Sequence, residues 1–166
     1  MATTATLGVD PGGHGAFAWL DTDGQLIDVA DMPVLSTVVA GKNRNHVDWA
    51  AVGTLLLRRK VVHVWVEKVH SMPSDGGTQA FNFGQSYGVI LGALGALGLP
   101  HTLVTPQAWQ KSTQTPKGKD GSRMRAAQLF PDSSHLFARV KDDGRADAAL
   151  IAAHGYAVQP VTRSAA

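Results

Sequence analysis

The sequence predicts an α/β protein built on a mixed five-stranded sheet with helices on both faces. Three observations lead there. The first 33 residues hold three short apolar runs separated by tight polar turns, the pattern of an antiparallel meander. The run "VVHVWVE" at 61–67 is apolar and β-branched almost throughout, as a central strand covered on both faces should be. From residue 48 onward, strand-like runs alternate with segments of helical spacing, which places later strands beside the first ones through helical connections.

Each element has its own signal. "TATLGVD" ends a strand at Asp10, and "PGGHG" turns the chain into "AFAWL". The acidic turn "DTDG" leads to a third strand in "QLIDVADM". "DWAAVGTLLLRRK" is a helix with Asp48 as N-cap and basic residues in its last turn. After the fourth strand comes a Ser, Pro, Asp and Gly loop, "HSMPSDGGT", and then a long helix over about 79–97. Gly84, Gly88 and Gly92 lie on one face of that helix and allow another backbone to come close. "HTLV" is the fifth strand, and "TPQAWQKS" opens a helix with Pro in its first turn. "TQTPKGKDGS" is a polar basic loop, "RMRAAQLF" a helix stopped by "PDSS", and Ala146 to Ala153 the centre of a buried closing helix. The order is β-β-β-α-β-α-β-α-α-α. The chain reads as one domain over residues 1–158 with a flexible tail at 159–166.

The 166 residues suffice for one domain with a real core, and 44% hydrophobic against 17% charged residues is a globular balance. The absence of cysteine excludes a disulfide framework, a cysteine-ligated zinc site and a thiol nucleophile. "MATTATLGVD" lacks the basic flank and apolar core of a signal peptide. The uncharged stretch 76–100 is broken by Asn82, Gln85, Ser86 and several glycines, so it reads as a buried helix and not a membrane span. A soluble, intracellular protein is expected.

Charge is uneven. Residues 1–100 carry 6 Lys/Arg against 8 acids, while residues 101–166 carry 9 against 5. Lys111, Lys117, Lys119, Arg123, Arg125, Arg139, Lys141 and Arg145 form a basic zone beside acidic residues. That zone suits a polyanion held near a metal site, or an ordinary solvated surface.

The acidic residues are more specific. Asp10 ends the first strand ahead of Pro and two glycines, where α/β sheets gather functional groups. Glu67 is the chain's only glutamate and ends the apolar fourth strand, where a carboxylate needs a cation; Lys68 or a nearby arginine is the plain candidate. Asp143 and Asp147 are four apart, hence on one helical face with Cβ atoms roughly 5–6 Å apart, a repulsive spacing without a counter-charge. Asp143 also suits an N-cap. Asp147, inside an apolar run, needs either a bound cation or an arginine such as Arg145 or Arg139. Mg²⁺ or Mn²⁺ favours carboxylate oxygens together with water and phosphate oxygens. If the first and fourth strands are neighbours and the last helix crosses their ends, Asp10, Glu67, Asp143 and Asp147 make one acidic pocket. Two ions there would suit metal-assisted cleavage of nucleic acid. Lys111, Lys117, Lys119, Arg123, Arg125, Lys141 and Arg145 are the candidate phosphate contacts.

"LGVDPGGHGAFA", "VWVEKVH", "FGQSYGVILGAL", "VTPQAWQKS" and "KDDGRADAALIA", taken in order, resemble the motifs of RuvC-like Holliday junction resolvases, especially short phage-type members. The resemblance runs from about Leu7 to His154. It implies a ribonuclease H-like fold and a metal-binding role for Asp10, Glu67, Asp143 and Asp147. Many members space the last two positions three apart, whereas here residue 144 is glycine, so Asp142 and Asp143 both stand as candidates for the fourth ligand. The family further implies a homodimer that nicks opposed strands of a four-way junction symmetrically, with the "FGQSYG" helix joining the subunits. Packing of that helix on its own sheet is the alternative. His70 falls where the family places a residue that stacks at the junction. The cytoplasm of a bacterial or phage-infected cell is the implied location. Two rival readings are a ribonuclease H-type nuclease with another substrate and a junction-binding protein without catalysis. Trp19, Trp65 and Trp109 are expected in the core, and Phe81 and Phe83 in packing.

Overall fold

A computed structural model of the chain describes residues 5–39, 41–69 and 76–159. Its main sheet has five strands in the order β3-β2-β1-β6-β7: β1 Ala5–Asp10, β2 Ala16–Leu20, β3 Leu26–Asp31, β6 Val61–Glu67 and β7 His101–Val104. The first three are antiparallel neighbours, and β6 and β7 join β1 in parallel. The expected sheet is therefore present, with β1 beside β6. A second, two-stranded sheet, β4 Val34–Val39 with β5 Lys42–Val47, lies between β3 and the first helix. The sequence reading missed it because "KNRNHV" has no apolar alternation. Its hairpin is largely exposed, so no buried face imposes a period of two.

Helices cover both faces. On one side Leu7, Val9, Phe17, Trp19, Val64 and Val66 pack against Val52 and Leu56 of α1 (Trp49–Leu56) and Ile90 and Leu94 of α2 (Gly77–Ala96). On the other, Ala16, Ala18 and Leu20 meet α5 (Asp143–Val158), with Trp109 of α3 (Pro106–Ser112) and Ala126 of α4 (Gly121–Leu129) in the same core. The N-cap expected at Asp48 is formed, its side chain accepting from the Ala50 and Ala51 amides. The basic residues expected in the last turn of α1 lie beyond its end instead, where Arg58 and Arg59 pair with Asp28 of β3. Between α4 and α5 the chain forms two 3-10 segments, 131–137 and 140–142.

Helix α5 positions everything that follows. Its small residues let it lie almost in contact with the sheet. A Cβ on Gly8 would fall 2.2 Å from the Ala148 carbonyl oxygen, and one on Gly144 would fall 2.1 Å from the His14 carbonyl oxygen. Glycine at 8 and 144 thus brings the first turns of α5 onto β1 and onto the β1–β2 turn. At no other residue type could the backbones approach this closely.

Trp19 and Trp109 are buried, as expected, and Trp65 is partly so. Phe81 is 71% exposed, which corrects the expectation that it packs. Gly84, Gly88 and Gly92 have open space where a side chain would be, so the glycine face of α2 does not pack on its own sheet. No helix among the described residues is long and apolar enough to cross a membrane.

Candidate active site

Asp10 and Glu67 end adjacent parallel strands. Val9 pairs with Val66, so the two carboxylates leave the sheet side by side at its C-terminal edge. Asp147 sits one turn into α5, which crosses β1 over Gly8. The three groups feel one another. Burial first, and then the charges of Asp147 and Glu67, push Asp10 up to about 7 against a weak opposing hydrogen bond from the Gly12 amide. Burial pushes Asp147 up to about 6; a hydrogen bond with Ser122 opposes this and the Asp143 charge adds to it. Glu67 is also raised, by burial and by Asp147, against the lowering effect of its hydrogen bond from Trp109.

The plain partners do not materialise. Lys68 makes no ion pair with Glu67 among the described residues; the partner of Glu67 is the Trp109 indole, whose Nε1 donates to Oε1 at 2.9 Å. Neither arginine expected for Asp147 reaches it. Arg145 binds both oxygens of Asp31, at 2.5 and 2.6 Å, and lies 3.7 Å from Asp142. Arg139 holds Asp142 through its backbone amide and its guanidinium. Oδ1 of Asp147 is buried with no hydrogen-bond partner.

The two candidates for the fourth acidic position are separated by their surroundings. Asp142 is 1% exposed and fully engaged by arginine. Asp143 begins α5 and is not the N-cap; its Oδ1 accepts from Arg123 Nε at 2.7 Å, and half of its side chain remains open.

The basic residues divide as well. Lys111, Lys117, Lys119 and Lys141 are exposed and make no ion pair among the described residues. Arg123 is wedged between Asp120 and Asp143, Arg125 donates from Nε to the Thr113 carbonyl, and Arg145 is held by Asp31. These three guanidiniums brace the fold around the acidic groups. His70 lies outside the described residues.

The donor set fits a hard divalent cation. It is all carboxylate oxygen, it includes an orphaned buried atom, and its members destabilise one another without a positive partner. Among the described residues no three such side chains stand at ligand distance of one point.

Sequence reasoning passed over Trp109 as core. An aromatic at a buried helical position gives no sign of where its N–H points, so only the contact with Glu67 exposes its second role.

The strand order β3-β2-β1-β6-β7, with a C-terminal helix crossing β1, is a ribonuclease H-like fold, and likenesses among solved structures agree with it. The structure matches that of T. thermophilus RuvC in complex with Holliday junction substrate with a TM-score of 0.63 and 16% identity, covering 91% of each chain. It matches the yeast mitochondrial Holliday junction resolvase Ydc2 with a TM-score of 0.57 and 13% identity, covering 93% of this chain and 80% of that one. At such identities these likenesses establish the fold. In sequence, the chain is similar to the chloroplastic Holliday junction resolvase MOC1 of Chlamydomonas reinhardtii, 34% identical over 98 residues. That stretch is 58% of this chain and 11% of the algal protein's length. No protein-family model matches the chain.

Proposed function

We propose that this protein is a structure-selective endonuclease that resolves four-way DNA junctions by paired, symmetric nicks, with Mg²⁺ or Mn²⁺ as cofactor. The observation that carries the reading is the partly buried trio Asp10, Glu67 and Asp147, mutually repelling and without a basic partner among the described residues. Such an arrangement costs stability unless it serves to bind cations. The resolvase relatives in sequence and fold support the choice of substrate.

In this reading Asp10, Glu67, Asp147 and Asp143 hold two ions. When bound, the ions supply an activated water and offset the charge developing on the scissile phosphate. The chain's own residues do the rest. Partial burial of Asp10 and Asp147 limits the access of bulk water to their oxygens. Arg123 holds Asp143 at the rim of the site. Lys111, Lys117, Lys119 and Lys141 are exposed and make no ion pair among the described residues, as suits backbone phosphate contacts, and they add affinity without sequence preference. His70 is proposed to stack at the crossover.

A second copy of the chain, docked on the open glycine face of α2, would set two such sites at a fixed separation, and junction shape would then select the substrate. The activity needs a compartment with recombining DNA. A bacterial cytoplasm is one such compartment, and a chloroplast, as for the algal relative, is another.

The test is cleavage of a synthetic four-way junction with and without Mg²⁺, beside linear duplex and RNA–DNA hybrid, using wild type, Glu67→Gln and Asp147→Asn. Metal-dependent nicking of the junction by wild type, lost in both variants with binding retained, is expected. Full nicking by either variant contradicts the assigned roles. Faster cleavage of the hybrid would favour a ribonuclease H-type activity, and binding without nicking by wild type would favour a non-catalytic junction binder.

A further inference from the structure

We infer that Trp109 is a positioning residue for the acidic site: its indole N–H fixes the Glu67 carboxylate without neutralising it. The inference rests on the reading of Asp10, Glu67 and Asp147 as a cation site, and it assigns a role outside the four carboxylates.

The contact is built from both sides. Glu67 pairs with Val104 across β6 and β7, so α3 begins directly beside the glutamate. Thr105 caps that helix, accepting from the Ala108 amide, and Pro106 occupies its first turn. One turn further, Trp109 is 1% exposed, and its Nε1 lies 2.9 Å from Glu67 Oε1. The helix has little freedom to drift. Thr113 Oγ1 donates to the Trp109 carbonyl at 2.7 Å, and Ser112 Oγ meets His154 Nδ1 at 2.6 Å, which ties α3 to the helix that carries Asp147.

The chemistry of the partner matters. A guanidinium or ammonium at this place would orient Glu67 but also neutralise it and compete with a cation. An indole has one N–H, no acceptor and no charge. It restrains one oxygen and leaves the full negative charge in the site, while Oε2 takes no hydrogen bond among the described residues. The contrast with Asp142, locked between Arg139 and Arg145, is plain. The contact is also selective within the fold, since the buried Nε1 atoms of Trp19 and Trp65 have no partner. Partners that orient ligand side chains in this way typically contribute 10–100-fold to metal affinity.

The experiment measures Mn²⁺ affinity by calorimetry on the full chain, for wild type, Trp109→Phe and a variant with benzothienylalanine incorporated at 109. The last keeps the shape of the indole and replaces only the N–H by sulfur, so it decides the question if Trp109→Phe fails to fold. Mn²⁺ binding weakened about 10–100-fold in the benzothienyl variant, with metal-free junction binding and melting temperature close to wild type, is expected. An aza-tryptophan at 109, which retains the N–H, should restore the affinity; a purely space-filling role would make the two analogues alike. Mn²⁺ affinity in the benzothienyl variant within about twofold of wild type overturns the positioning role alone. Absence of Mn²⁺ binding by wild type overturns the cation-site reading and the positioning role together.

Discussion

Replacing Asp10 by asparagine should make the metal-free protein more stable, an unusual result for a residue at the centre of a site. Burial and two neighbouring carboxylates raise Asp10 from 3.8 to about 7. A raised carboxylate opposes folding in its ionised form. The penalty is absent below about pH 4, grows as pH rises toward 7, and is constant above that. At about 1.4 kcal/mol for each tenfold in acidity, the ceiling is about 4 kcal/mol. Local relaxation and water entry reduce it, so a gain of about 1–3 kcal/mol is expected for Asp10→Asn at pH 8. The substitution is nearly isosteric and keeps an oxygen to accept from the Gly12 amide. For a chain of this length the gain amounts to about 3–10 °C in melting temperature. The assay is thermal unfolding followed by circular dichroism, in EDTA, at pH 4 and pH 8. The stabilisation should appear at pH 8 and vanish at pH 4, and added Mg²⁺ should raise the melting temperature of wild type more than that of the variant. A variant no more stable than wild type at pH 8 in EDTA would refute the premise that burial and the neighbouring carboxylates strain Asp10.

Three further outcomes follow from the same geometry. Asp142→Ala removes a buried carboxylate that accepts from the Arg139 amide and guanidinium and should lower stability, read as a fall in melting temperature. The Arg139 hydrogen bonds hold the Asp142 carboxyl below its usual range, so this contribution is present above about pH 4 and fades as pH falls further; the stability gap between variant and wild type should narrow at pH 3. Asp143→Asn, at a half-open position, should leave stability within about 1 kcal/mol of wild type while slowing junction nicking, which separates the two adjacent aspartates by role. Lys117→Ala and Lys119→Ala should each lower the slope of log affinity against log salt by about 1 in junction-binding titrations, with nicking at saturation unaffected.

The strands and helices of the main sheet were legible because burial writes itself into sequence as periodicity. Val61 to Glu67 could be little other than a central strand, and the run after Asp147 little other than a buried helix. Asp10, Glu67 and Asp147 could be singled out because a carboxylate at an apolar strand end or inside an apolar helix is costly, and the cost is visible one residue at a time. The exposed β4–β5 hairpin left no such trace. The partners of the arginines did not show either: Arg123, Arg125 and Arg145 read as candidate phosphate contacts, and the fold also brings each of them a partner within the chain. Which of Asp142 and Asp143 stays open depends on where Arg139 and Arg123 reach. That Glu67 should be held by an indole, and by no cation, depends on α3 starting beside the end of β6. Local chemistry is carried by each residue, so the main-sheet strands, the buried helices and the anomalous acids could be read along the chain. Pairing is a property of distances between residues remote along the chain, so which charges are neutralised and which face one another follows from the folded arrangement alone.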